Sequence, residues 1–552
     1  MRQSNSIRNH LDRISILLGK KVSQESALQS MHATLLQDGF YLNFRLHYDS
    51  ILRQLRLNHE ESLDVNIVRR LSSKEISLGA KQKLILRTIH SLNFNKALVY
   101  SKISGTKIWF PLDRQWQRQL SDFGFRVNRP ICTLLLGMFK VISTAKSISK
   151  LAVNEFEAIK SHAITGTKYE FQNPEIIQIF MSGFSEANYP NVEFPTHNFY
   201  DWLSRKLGTS SVYLHDCKER RLSNLESPQL HFQNTIVPKI PSIDRVRAYL
   251  RLLSVLIRYL FNPKLKFFEL VSQIDEVILA LQLFSSSQDE RYELLIFPST
   301  VLVYKPLWSV FLENSGTKVV VINYTAMAEP LSPNLTRVVD GIWHLSSWND
   351  MWVVDRYQET QMKLTSEYAA KNYTITGVPH WSGRVYSSTP YAGRKCIAVF
   401  DTHIRSNQTF SAGVVDEMGW NNTKLEEEFI SIVLQAASHF DLIVLHKKKR
   451  KVPQFQKTRT DELTQKLKSL YKDRYQVVDE SFSAVSLIEL SIGVVSKPIS
   501  TTAFVATEMR KPSIILDPTM NVQFNDPGLR DCKIAYSPEH LQEIFKSILD
   551  SA

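Results

Sequence analysis

Residues 492–519 read IGVVSKPISTTAFVATEMRKPSIILDPT. An apolar, β-branched run stops at Pro498, Ser500, Thr501 and Thr502 open a helix, and Pro512 to Thr519 begins a second apolar run ending at Asp517-Pro518. Two such runs joined by one helix lie parallel, because antiparallel neighbours need only a hairpin. The same alternation extends on both sides. CIAVFDTH (396–403) is a strand, LEEEFISIVLQAASHF (425–440) a helix, DLIVLHKKK (441–449) a strand and DELTQKLKSLYKD (461–473) a helix. YQVVDE, AVSLIELS and the closing PEHLQEIFKSILDSA complete the series as strand, helix and helix. The last 160 residues therefore form an open α/β sheet, in which a ligand sits beyond the carboxyl ends of the strands. That rule selects Asp401, His446, Asp479, Ser500 and Asp517 for inspection.

Working towards the N-terminus, HWSGRVYSSTPYAGRK is polar and rich in Ser, Gly and Pro, which puts a domain boundary near 383–393. Before it, MWVV reads as a strand, Asp355 opens a helix, and YTITGVP is a strand closed by Gly377 and Pro379. YELLIFPSTVLVY and TKVVVINYTAM are strand-like runs, and KALVYSKI, TKIWFPL, RQWQRQLSDFGF and PICTLLLGMF continue the strand-and-helix texture back to residue 95. Residues 1–94 carry apolar positions at spacings of three and four and read as helical. The expected fold is α/β of the GT-B plan, two Rossmann-like domains facing across a cleft: a helical N-terminal extension (1–94), a first domain with a helical insertion (95–385) and a second domain (390–552).

Composition removes several alternatives. Over 552 residues, 43% are hydrophobic and 22% charged, an ordinary globular balance. The four cysteines stand apart without CxxC pairing, which excludes a zinc ribbon and a disulfide scaffold and fits a reducing compartment. Lys and Arg number 67 against 54 Asp and Glu, and residues 1–100 hold 15 against 8, so an anionic partner is expected. No nucleic-acid recognition motif accompanies that charge. The start of the chain has no apolar run of signal-peptide length, and no segment reaches the length of a membrane span, so a cytoplasmic protein is expected. Residues 243–261, IDRVRAYLRLLSVLIRYLF, align Arg247, Arg251 and Arg258 on one side of an otherwise apolar helix. This reads either as a buried helix with one solvated stripe or as a peripheral contact at the inner face of a membrane.

The start of the Ser500 helix has two readings. Three hydroxyls with helix N–H groups behind them suit a phosphate, whereas an ordinary N-cap needs only one hydroxyl. Its place at a strand's carboxyl end favours phosphate. The basic run at Lys447, Lys448, Lys449 and Arg450 reads as a clamp on a nucleotide phosphate, a solvated loop or a nuclear-import signal. No DxD at a strand end, HExxH, GxxxxGK[ST] or GxGxxG occurs, so a metal-bound diphosphate, a P-loop ATPase and a nicotinamide enzyme are not indicated. No metal ligand is expected.

Pro498-Ile499-Ser500-Thr501-Thr502-Ala503, followed by Lys511-Pro512-Ser513 and Asp517-Pro518, resembles the signature of bacterial polysaccharide-biosynthesis proteins named for a Pro-Phe-Thr-Ser motif. Here Ile replaces Phe, the Thr and Ser are exchanged, and Arg510 stands where Gly is usual. Phe400-Asp401, the strand ending in Lys447 to Arg450, and the aromatic Tyr200-Asp201-Trp202 segment also resemble that family. The resemblance implies a metal-independent GT-B glycosyltransferase that takes a nucleotide-sugar donor as substrate, with no further cofactor, and a saccharide or lipid-linked saccharide as acceptor. The products implied are capsule or O-antigen, and a CMP-activated acidic sugar is one donor candidate. Ser500, Thr501, Thr502, His446, Lys447, Lys449, Arg450 and Asp517 become donor-binding candidates; a His after the equivalent strand resembles GT-B sialyltransferases. Asp355 and Glu186 are the candidates for a catalytic base, with a helix N-cap and an exposed surface acid as their respective alternatives. A non-catalytic protein of the same shape that binds nucleotide sugars is the competing reading.

Overall fold

The computed structural model describes, with short gaps, residues 98–149, 179–181, 199–207, 212–215, 230–233, 276, 294–323, 348–378, 394–401, 423–448, 454–479 and 482–551. Two larger parallel sheets organise these residues. The first is built from β1 (Ile179–Met181), β4 (Leu294–Pro298), β5 (Lys318–Ile322), β6 (Asp350–Val353) and β7 (Asn372–Ile375), side by side in that order. A separate parallel pair joins β2 (Val212–His215) to β3 (Leu230–Gln233). Helices α1 (Arg114–Asp122), α2 (Phe199–Leu207), α3 (Leu307–Asn314) and α4 (Arg356–Thr365) accompany this half. Trp202 of α2 is buried, and Phe297 of β4 packs against Trp308 and Trp348 with ring centroids 5.6 and 5.3 Å away.

The second sheet contains β8 (Cys396–Phe400), β9 (Ile443–Lys447), β10 (Tyr475–Val478), β11 (Gly493–Ser496), β12 (Ser513–Leu516) and β13 (Lys533–Ala535). Between them run α5 (Thr423–Ser438), α6 (Gln454–Tyr471), α7 (Ala484–Leu490) and α8 (Thr501–Glu508), and α9 (Pro538–Ser551) follows. All strands are parallel in the order β10-β9-β8-β11-β12-β13. Renumbered within the sheet that is 3-2-1-4-5-6, the Rossmann order, whose switch point lies between β8 and β11. Helices cover both faces. Phe400, Leu445 and Val494 pack with Ala503 and Phe504 of α8, whereas Val399, Val444, Tyr475 and Val495 pack with Phe429 and Ile430 of α5 and Phe545 of α9. Burial on two faces explains why CIAVF is apolar throughout, since only a strand exposed on one side needs polar residues at every second position. Two parallel sheets flanked by helices are the α/β architecture expected for the GT-B plan.

Several local expectations change. KALVYSKI was expected to be a strand, yet its described positions, Leu98 and Ser101, are helical. TKIWFPL contributes only the isolated bridge from Ile108 to Val127. PICTLLLGMF is helical from Arg129 onward, and Asn128 starts that helix by accepting from Ile131 N at 3.4 Å. A continuous apolar run suits a strand or a buried helix equally, and the Asn-x-Pro start decides for helix. YELLIFPSTVLVY yields β4 only as far as Pro298. Residues 1–94, 243–261 and 383–393, together with Glu186, Lys449 and Arg450, lie outside the described residues. Among the described residues no helix is long and apolar enough to cross a membrane.

Candidate functional site

The second sheet's switch point brings together the ends of β8 and β11, and the helix start at Ser500 stands directly after β11. Ser500 occupies the N-cap of α8 in extended conformation, but its hydroxyl makes no capping bond to the helix N–H groups. Instead its Oγ lies 2.6 Å from Thr502 Oγ1, which is 3.2 Å from Ser496 Oγ. The three hydroxyls form one chain across the end of the strand and the first turn of the helix. The oxygen of an N-cap serine ordinarily accepts from a helix N–H, for about 1 kcal/mol of stability. Here the oxygen is spent on other hydroxyls, leaving the first-turn N–H groups to other acceptors. Thr501 is half-buried beside them.

A second cluster lies on the opposite face of the same sheet. Side chains alternate along a strand, so Asp401, His446 and Lys497 continue the row of Val399, Val444 and Val495 that faces α5. Glu426, in the first turn of α5, closes over them. His446 Nε2 is 3.3 Å from Asp401 Oδ2 and 3.9 Å from Glu426 Oε1, and Lys497 Nζ forms an ion pair with Glu426 Oε2. The imidazole's other nitrogen, Nδ1, shares a 2.9 Å hydrogen bond with Tyr475 Oη. Asp401, Glu426, His446 and Lys497 are all buried. Burial pushes the Glu426 carboxyl above its ordinary range, against the opposing pull of Lys497. Burial likewise pushes the Tyr475 phenol up, so it stays protonated. Asp401, Glu426 and His446 present one ligand atom each within 4.8 Å of one another, so they could hold a metal ion.

The remaining candidates fall into three groups. Lys447 is buried at the end of β9, on the strand face opposite His446, and Lys448 Nζ reaches Thr464 Oγ1 of α6 at 3.5 Å. Asp517 is fully buried, and its carboxylate organises a turn: Oδ1 accepts from Thr519 N and Oγ1, and Oδ2 accepts from Val522 N at 2.8 Å. Asp355 caps α4, its Oδ1 accepting from Gln358 N at 2.7 Å while Gln358 Oε1 accepts from Val354 N. Its Oδ2 pairs with Arg530 Nε. Arg530 also lies over the Phe504 ring at 4.1 Å and the Tyr357 ring at 5.3 Å, so this arginine joins the two halves. Next to it, Val378 N donates to Glu508 Oε1 at 2.8 Å. Gly377 has φ +76°, and a Cβ there would stand 3.0 Å from that same oxygen, so both backbone and space favour glycine.

Glu426, Lys497 and Tyr475 were absent from the candidates drawn from sequence, although a signal existed for two of them. Glu426, Phe429, Ile430 and Val433 fall at i, i+3, i+4 and i+7, so Glu426 extends the buried face of its helix. Lys497 follows Val495 by two, which puts it on the core side of its strand.

The family model described as "Polysaccharide biosynthesis PFTS motif protein" matches residues 260–545. No curated protein sequence matches the chain. Among solved structures, the chain is similar to a glycosyltransferase from Rickettsia africae, at 10% identity over 68% of this chain and 89% of that one, with a TM-score of 0.35. A UDP-N-acetylglucosamine 2-epimerase from Rickettsia bellii is similar at 10% identity over 68% and 88%, with a TM-score of 0.35. The Anabaena protein HepE, solved with UDP and glucose, gives 10% identity over 68% and 89%, again with a TM-score of 0.35.

Proposed function

The chain belongs to the polysaccharide-biosynthesis proteins of the PFTS motif, and on that premise we propose that it is a glycosyltransferase. It would move a sugar from a nucleotide-activated donor to a growing bacterial surface polysaccharide, capsule or O-antigen, on a saccharide or lipid-linked acceptor. The observation that carries the reading is the hydroxyl chain of Ser496, Ser500 and Thr502 at the start of α8, with no capping bond from Ser500 to the helix. Hydroxyls arranged this way, at a helix N-terminus beside the switch point, suit a phosphate oxygen. Phosphate charge would be met there by N–H groups and hydroxyls rather than by a metal ion. A single phosphate, as in a CMP-activated acidic sugar, needs only such a compact site. Work at the cytoplasmic face of a membrane, with residues 243–261 as the surface contact, belongs to the same reading.

One observation favours the non-catalytic alternative. Asp355, the described base candidate, commits one carboxylate oxygen to the α4 cap and the other to Arg530. A base must be within reach of the acceptor hydroxyl and able to take its proton.

Calorimetric titration with CMP, UDP, GDP and TDP, alongside melting curves, tests the proposal. Ser500→Ala and Thr502→Val should each weaken binding of the best nucleotide by roughly five- to tenfold, the worth of about 1 kcal/mol. Melting should move little, because no cap bond is removed. Wild-type affinity in the double variant would refute the donor site, and no binding of any nucleotide would favour a scaffold.

A further inference from the structure

We propose that Asp401, Glu426 and His446 form a binding site for one divalent metal ion of the zinc class, holding the start of α5 against the ends of β8 and β9. The donor set is one imidazole nitrogen and two carboxylate oxygens, all buried and all within 4.8 Å of one another. The independent sign of a ligand is His446 Nε2. The residue is 3% exposed, yet this atom has no hydrogen-bond partner, although carboxylate oxygens stand 3.3 and 3.9 Å away. Buried polar atoms are nearly always satisfied, so an orphaned one between two carboxylates needs an occupant.

The spacing suits a metal. Tetrahedral bonds of about 2.1 Å place neighbouring ligand atoms about 3.4 Å apart. The Asp401–His446 separation already has that value, and the Glu426–His446 separation closes to it with a movement of about half an ångström. The surroundings fit as well. In the tautomer whose Nδ1–H donates to Tyr475 Oη, the Nε2 lone pair faces the carboxylates, and the phenol fixes the ring as outer-shell partners of metal-bound histidines do. Glu426 turns Oε1 to His446 and Oε2 to Lys497, so ion and ammonium would each have their own oxygen. A mixed nitrogen and carboxylate set suits zinc better than magnesium or calcium, which prefer all-oxygen shells.

The site lies on the α5 face, whereas the hydroxyl chain lies on the α8 face. Its role is therefore to hold the second sheet's ends in place, and it stands or falls separately from the donor reading. The competing occupant is a proton on Nε2.

The test uses the full chain, stripped with a chelator and dialysed against Zn2+, Mn2+ or Co2+, with metal content measured by mass spectrometry. About one equivalent should be retained, Co2+ should give the visible ligand-field bands of a tetrahedral site, and Zn2+ should raise the melting temperature of the stripped protein. Asp401→Asn and His446→Gln should each weaken retention at least about tenfold. Glu426→Gln, which keeps an acceptor for Lys497, serves as a third variant should either of those fail to fold. Failure of the wild-type chain to retain any of the three ions overturns the proposal without any variant. So does retention undiminished in folded Asp401→Asn and His446→Gln, since the ion would then lie elsewhere.

Discussion

Arg530→Ala removes the side chain that joins the two halves of the molecule. The ion pair with Asp355 is partly buried, with side-chain exposures of 14% and 30%, and charge-assisted bonds in such settings contribute about 1.5–3 kcal/mol. The guanidinium's two ring contacts, on Phe504 and Tyr357, add about 0.5–1 kcal/mol each when not fully exposed. These groups touch one another, so their contributions overlap, and the expected loss is about 2–3 kcal/mol. For units of this size that corresponds to a fall of about 5–10 °C in melting temperature. Differential scanning calorimetry is the suitable assay, because it resolves separate transitions if the two halves melt apart. Arg530 also has φ +54°, a region where any residue with a Cβ is strained. Arg530→Gly loses the same contacts but relaxes the backbone, so it should be more stable than Arg530→Ala by about 0.5–1 kcal/mol. Asp355→Asn can keep its cap oxygen but then turns an NH2 towards Arg530 Nε, so it should lose the whole pairing with Arg530 while sparing the cap. Melting of both Arg530 variants within about 1 °C of wild type, a few tenths of a kcal/mol at this size, would refute the reasoning.

Asp517→Ala leaves the N–H groups of Thr519 and Val522 without their buried acceptor, and should destabilise the second half by about 2–4 kcal/mol in urea titration; a shift below about 1 kcal/mol would contradict the turn-holding role. Burial raises the Glu508 carboxyl, so the folded protein binds this proton more tightly than the unfolded chain does. Its contribution is therefore full below the ordinary glutamate range and is lost as pH rises through the raised value. Glu508→Gln, which keeps an acceptor for Val378 N, should flatten that segment of a stability-versus-pH curve, and an unchanged slope would count against it.

The second sheet was legible because its strands are short, apolar and punctuated by Pro, Gly and helix-starting hydroxyls, each a local signal. Even there β13 escaped, since Lys533–Ala535 is too short to show a pattern. In the first half, α3 was missed between β4 and β5 for a different reason. Its first N–H group, at Leu307, is capped at 2.8 Å by Glu276 Oε2, a residue far away in sequence. No window centred on LWSVFLEN contains that partner. The hydroxyls of Ser500 and Thr502 could be found from the sequence because they sit side by side. Asp401 and His446 were also within reach, as residues at the ends of β8 and β9, but their meeting with Glu426 and Lys497 was not, because the four come from four elements and come together only when the sheet assembles.

The strand order of the second sheet also bears on how a ribosome must deliver it. β8 emerges first and becomes a central strand, with β9 on one side and β11 on the other. About ninety residues separate Phe400 from Gly493, so at roughly 5–20 residues per second one edge of CIAVF stays uncovered for about 5–20 s of synthesis. That edge is apolar and free of charge, features that let a nascent chain pair with the wrong neighbour. Rare codons placed between 401 and 492 would lengthen the exposure and should lower the yield of soluble protein, whereas the same codons before residue 395, when β8 is not yet made, should not.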